Sequence, residues 1–107
     1  MSEIRLKEET RSQWHLIFVS GRADSVTAGE LTRVLLAAVA AHPQVAVDCS
    51  ELEFISSAGI TSLLDGARAA RGAHHQLIVC APSPRVRQVF EISRLRDLLN
   101  VHEGLPC

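Results

Sequence analysis

The stretch "QVAVDCS", residues 44–50, constrains this chain more than any other. It is short and nearly all apolar, and it follows Pro43, which bars a helix from running into it. Such a run suits a central strand buried on both faces, as in parallel sheets. Segments of helical period flank it. Upstream, Leu31, Val34, Leu35 and Ala38 recur at i, i+3, i+4 and i+7, and Thr27 stands three before Glu30 as in a capping box. Downstream, Ile60, Leu63, Leu64, Ala67 and Ala70 form an apolar stripe, predicting a helix from Ser57 to Arg71. Arg68 and Arg71 suit its C-terminal end, and Gly72 suits a left-handed stop. "LEFISSAG" reads as the turn that joins strand to helix.

The same alternation continues to the end. "HQLIVCA" reads as a strand, and Ser83-Pro84 as an N-cap with proline at the first helical position. Val86, Val89 and Phe90 form the inward face of that helix. A short turn or helix over "RLRDLL" and a closing edge strand in "LNVHE" follow. At the start, "EIRLKEE" reads as a charged edge strand, and "WHLIFVSG" as a second strand ended by Gly21. The intervening "ETRSQ" suggests a hairpin between them. Strands separated by single helices are parallel with right-handed crossovers. The expected fold class is therefore α/β, one domain over residues 1–107. Its mixed sheet has four to five strands, an N-terminal hairpin followed by parallel βαβ units, and helices chiefly on one face. Loops at the C-terminal ends of the parallel strands form the usual functional rim, and "FISSAG" lies on it.

Composition narrows the function classes. A net charge of -1 argues against a dedicated nucleic-acid binder. No apolar run reaches the length of a membrane span, and "MSEIRLKEET" lacks the apolar centre of a signal peptide, so a cytoplasmic protein is expected. The three cysteines are widely spaced and form no zinc pattern. Cys49 and Cys80 read as buried reduced thiols, and Cys107 as open to oxidative crosslinking. His74 and His75 cannot easily share an ion, because strand neighbours point to opposite faces. There is no phosphate loop, and "GRADSVTAG" is not a dinucleotide fingerprint. No cofactor and no metal site is therefore expected. Arg85, Arg87, Arg94 and Arg96 read as a solvated helix face, with a contact to an acidic protein left open.

The candidate site is Ser56-Ser57. A serine at this place can cap the helix by accepting a backbone N–H, worth about 1 kcal/mol. It can also display a hydroxyl where backbone amides and the helix dipole favour an added anion, which suits a phosphorylation acceptor. Both readings can hold, one per serine. A hydrolase elbow needs G-x-S-x-G, and "FISSAG" lacks the first glycine. No catalytic residue is assigned, and the chain is not expected to be an enzyme. Asp24, just after "VSGRA", reads as a turn residue or as a carboxylate brought to the same rim.

Three stretches together resemble one family: "IFVSGRADSVTAGEL", "VAVDCSELEFISSAGITSLL" and "LIVCAPSPRVRQVFEISRLRDLLNV". It is the STAS domain, specifically the stand-alone bacterial anti-anti-sigma factors (anti-sigma factor antagonists), and the likeness runs from about Ile4 to Glu103. The resemblance implies partner switching. The unphosphorylated antagonist binds an anti-sigma factor, itself a serine kinase of the histidine-kinase-like ATPase fold, and frees the sigma factor. The kinase phosphorylates the motif serine, which ends the interaction, and a phosphatase resets it. By alignment that serine is Ser57, which keeps its spacing to the motif glycine, Gly59. Asp24 is the rim aspartate, and Asp24, Ser56, Ser57, Ala58 and Gly59 form the implied partner-binding surface. Asp48 becomes a turn-supporting residue. The family more often has aspartate where Ser56 stands, which points to altered kinase recognition or to Ser56 capping the helix while Ser57 stays free. Direct contact with nucleic acid or membrane is not implied. The alternative is a STAS scaffold subunit of a signalling or transporter complex with no phosphorylation cycle.

Overall fold

The computed structural model describes residues 3–105. The chain runs β1 (Ile4–Arg11), β2 (Trp14–Ala23), α1 (Ala28–Ala41), β3 (Gln44–Ile55), α2 (Ser57–Gly72), β4 (Gln76–Cys80), α3 (Pro84–Ile92), α4 (Arg96–Leu99) and β5 (Val101–His102). The strands form one sheet in the order β1-β2-β3-β4-β5. The first pair is antiparallel and the other three are parallel, as the alternation of segments predicts. Cys107 lies outside the described residues.

All the buried apolar side chains of the helices enter a single core on one face of the sheet. Leu31, Val34, Leu35, Ala38 and Val39 of α1, Leu63, Ala67 and Ala70 of α2, Val86 and Phe90 of α3, and Leu99 of α4 pack there against Ile17, Val19, Val45, Val47, Cys49, Leu77 and Val79. The opposite face holds a smaller cluster, Leu16, Ala46, Ile78 and Cys80, bordered by Trp14, Phe18 and Leu105. The first half of β3, from Val45 to Cys49, is thus buried on both faces although helices cover only one, whereas Ser50, Glu51 and Glu53 further along are exposed. Cys49 and Cys80 are buried and form no disulfide among the described residues, and burial pushes the Cys49 thiol pKa up.

Several boundaries differ from the sequence expectations. β2 does not end at Gly21 but continues to Ala23. Gly21 takes φ +93°, and a Cβ there would lie 2.4 Å from the Glu3 carbonyl oxygen, so the residue serves a close backbone approach within the strand. "LEFI" is not turn but the last part of β3, because register shifts after Phe18 and after Gly21 let Ser20–Ala23 stay paired with Glu51–Ile55. The bond supporting the first shift comes from Asp48, a buried carboxylate that accepts the Ser50 N–H at 2.8 Å and hydroxyl at 2.6 Å. The left-handed residue beyond α2 is His74 (φ 59°), not Gly72, which stays in the helix. The capping box does not form, since Thr27 makes no side-chain cap and Glu30 bonds Arg33, which lowers its carboxyl pKa. Ser83 does cap α3, accepting the Val86 N–H while donating to the Leu52 carbonyl at 2.7 Å.

Candidate functional site

The parallel pairing of β2 with β3 ends at Ala23↔Ile55, so the loops that leave these strands start side by side. Ser56 donates its N–H to the Ala23 carbonyl at 2.8 Å, locking the start of α2 to the end of β2. Gly59, one turn on, lies against the same residue. A Cβ there would stand 2.6 Å from the Ala23 oxygen and 2.8 Å from both the Ala23 Cβ and the Ile55 Cγ1. The helix can approach the strand this closely only because position 59 has no side chain.

The Asp24 loop completes the rim. The Asp24 carboxylate accepts the Val26 N–H at 3.0 Å and the Thr27 N–H at 3.3 Å, and its main-chain oxygen accepts from Ala28 at 2.8 Å. Thr27 returns a hydroxyl bond to the Arg22 carbonyl at 2.7 Å while accepting the Asp24 N–H. Asp24 is therefore a turn and helix-entry residue, one of the two roles expected of it. It still borders the surface, with Arg22 Nε at 3.9 Å. Two features of this rim escape sequence reading. The Arg22 guanidinium lies 4.2 Å above the Phe54 ring, and Val26 stands exposed beside Asp24. The register Arg22↔Phe54 creates the first, and it depends on shifts that no local pattern announces. Behind the rim, Thr32 donates to the buried Ser62 hydroxyl at 2.7 Å, and Ser62 donates to the Ala28 carbonyl, tying α1 to α2. The small residues Gly59, Ser62 and Gly66 on one buried face of α2 were the available signal for this close packing.

The two serines differ sharply. Ser56 occupies the N-cap position with extended backbone, yet its side chain makes no capping bond, and its Oγ is buried without a hydrogen-bond partner among the described residues. Ser57 is the first helical residue and is exposed. The first in-helix bond of α2 is Ile60 N–H to the Ser56 carbonyl at 2.9 Å. Among the described residues the amides of Ser57, Ala58 and Gly59 are accordingly the unpaired donors of a helix N-terminus. The arrangement offers an exposed hydroxyl beside uncapped amides and the positive end of a helix, a setting that favours an added anion. Since the Ser56 hydroxyl caps nothing, Ser56→Ala should change unfolding free energy by less than about 0.5 kcal/mol, against about 1 kcal/mol for a working cap. Urea melts decide this, and a loss above that level would restore the capping role.

The remaining candidates serve structure. His75 donates its Nδ1–H to the Val39 carbonyl at 2.7 Å. The basic segment is not one solvated helix face, because Arg87 and Arg96 both bond the Glu103 carboxylate, at 2.6 and 3.1 Å. Among the described residues no group of three or more His, Cys, Asp or Glu could hold a metal ion, and no helix is long and apolar enough to cross a membrane.

Residues 7–100 match the family profile described as "Mlab, STAS domain". A Bordetella bronchiseptica protein named as the anti-sigma factor antagonist BtrV is 37% identical over 84 residues, covering 78% of this chain and 72% of that protein. An anti-sigma factor antagonist from Mycobacterium paratuberculosis superposes with a TM-score of 0.82 at 27% identity, over 96% of this chain and 88% of the other. The Bacillus protein SpoIIAA in its phosphorylated form shares the fold, with a TM-score of 0.69 at 21% identity over 91% of this chain and 90% of its own.

Proposed function

The chain belongs to the STAS domain family, and on that premise we propose that it is a cytoplasmic anti-sigma factor antagonist switched by phosphorylation of Ser57. The observation that carries this reading is the exposed Ser57 hydroxyl at the uncapped N-terminus of α2, with Gly59 fitted against Ala23 behind it. Its partner is an anti-sigma factor serine kinase of the histidine-kinase-like ATPase fold, and binding frees the sigma factor. The docking surface is the rim formed by Asp24, Ser56, Ser57, Ala58 and Gly59. The chain performs no chemistry of its own: the kinase supplies ATP, magnesium and base, and this protein supplies a positioned hydroxyl and a complementary surface. A phosphatase reverses the modification.

The roles of the two serines follow from their surroundings. A kinase can reach Ser57, whereas the Ser56 hydroxyl is buried. Incubation with the cognate kinase and ATP, followed by mass spectrometry, should place one phosphate on the wild type and none on Ser57→Ala, with Ser56→Ala labelled normally. Undiminished labelling of Ser57→Ala would overturn the site. A pull-down that recovers transporter components and no kinase would favour the scaffold alternative.

A further inference from the structure

β1 is the long open edge of the sheet, since β2 is its only neighbouring strand among the described residues. Arg22 donates its N–H to the Glu3 carbonyl at 2.8 Å. The antiparallel pairing of β1 with β2 is unbroken from Ile4↔Gly21 to Arg11↔Trp14, so the main-chain groups of Arg5, Lys7, Glu9 and Arg11 also point at β2. Those of Ile4, Leu6, Glu8 and Thr10 point outward, and no other strand takes them among the described residues. A charged edge strand usually repels a second strand. Here the order of the charges has the opposite effect.

Two copies of β1 laid antiparallel about a two-fold axis at Lys7 oppose Arg5 to Glu9 and Glu3 to Arg11 on both sides of the axis. These side chains are exposed and project from the helix-free face, as Lys7 and Glu9 do beside Phe18 and Leu16. They stand at non-hydrogen-bonded positions of the new pairing, where opposed side chains are closest. The outward groups meet in the same register, Leu6 against Glu8 and Ile4 against Thr10, so each outward N–H finds a carbonyl. A shift by one pair in one direction opposes Arg5 to Lys7 and Glu3 to Glu9. A shift in the other gains Lys7 against Glu9 but opposes Arg5 to Arg11 and Glu8 to Glu8. In the centred register the like-charged pair is Lys7 with itself, and its long flexible stem lets the ammonium groups turn apart. Arg5 shares a cavity with Glu3, Glu51 and Glu53 yet forms no ion pair with them. Glu9 is held by Arg11 at 2.8 Å through one carboxylate oxygen, which leaves the other for a second guanidinium.

We propose that β1 is a self-association edge: a second copy of this chain adds to it antiparallel, in the register centred on Lys7, and joins the two sheets into one. The main chain supplies the attachment, and the charge order selects register and partner. Because the two copies run antiparallel, their α2 N-termini lie at opposite ends of the joined sheet. The edge is therefore used independently of Ser57 and does not rest on its assignment.

Sedimentation velocity on the whole chain, from micromolar to millimolar protein, should show a reversible monomer–dimer equilibrium that salt weakens. Arg5→Glu sets glutamate against Glu9 across the axis, and Glu9→Arg sets arginine against Arg5. Each should weaken the dimer about tenfold. An equimolar mixture of the two variants restores opposite charges at both pairs and should associate as the wild type does, as should the double variant. Thr10→Pro removes an outward N–H without touching the ladder to β2, and it should also weaken the dimer. Unchanged far-ultraviolet dichroism would show that the fold persists in each variant. A monomer at every concentration would overturn the proposal and leave the edge to another protein's strand or to none. A dimer indifferent to both charge variants would overturn it too, since it must use another surface. A mixture that associates no better than its components would overturn the register.

Discussion

Gly59→Ala is expected to lower the unfolding free energy by about 2 kcal/mol, while Gly29→Ala raises it by about 0.5 kcal/mol. Both glycines are in helices, so alanine gains helix propensity at each. What differs is the space. A Cβ at position 29 meets nothing within 4 Å, whereas at position 59 it collides with the Ala23 carbonyl oxygen, the Ala23 Cβ and the Ile55 side chain, all under 3 Å. The carbonyl belongs to the end of a paired strand and accepts the Ser56 N–H, so it cannot swing aside. The start of α2 must move instead, carrying Ser57 with it. For a domain of this size about 2 kcal/mol amounts to roughly 10 °C in melting temperature, readily measured by calorimetry. Equal stabilisation by both substitutions would show that the helix does not approach the strand as described. A loss at position 59 should also slow phosphorylation of Ser57, because the hydroxyl moves with the start of α2.

The alternation of strands and helices and the helix faces were legible because periodicity encodes burial directly. Val34, Ala38, Leu63 and Phe90 face the core as their spacing requires. Ser83 and Pro84 announced α3 through the backbone groups they satisfy or lack. The misreadings share another cause. Residues 52–55 carry turn-like company in the sequence, yet they remain strand because β2 bulges to follow them. Gly21 was read as a stop when it permits the close approach of Glu3. Both outcomes depend on a partner strand distant in sequence, which local pattern does not contain. At the site, the reading of Ser57 as the displayed hydroxyl agrees with its exposure, but the reading of Ser56 as a cap does not agree with its unpartnered Oγ. Residue type predicts capping, whereas the bond requires a side-chain direction that the packing of Ser56 against β2 sets.

Phosphorylation of Ser57 should leave the melting temperature within a few degrees of the unmodified protein, yet weaken binding to the anti-sigma kinase by about 100-fold or more. The first half follows from the helix terminus. A phosphate of about -1.5 to -2 charges there sits beside uncapped amides, and the dipole returns roughly 0.3–1 kcal/mol. The second half follows from what a docked partner must do. Covering the rim strips water from the phosphate and sets it against a surface shaped for a neutral hydroxyl, and charge mismatch of this kind costs several kcal/mol. About 3 kcal/mol is already more than a hundredfold in affinity. Ser57→Asp, with one charge and no tetrahedral oxygens, should produce a smaller loss of the same sign. Calorimetric titration of the kinase with unmodified, phosphorylated and Ser57→Asp protein, alongside thermal melts of each, separates the two halves. Unchanged affinity would remove the switch, while an affinity loss matched by a large fall in melting temperature would mean that the phosphate acts by unfolding α2 rather than by repelling the partner.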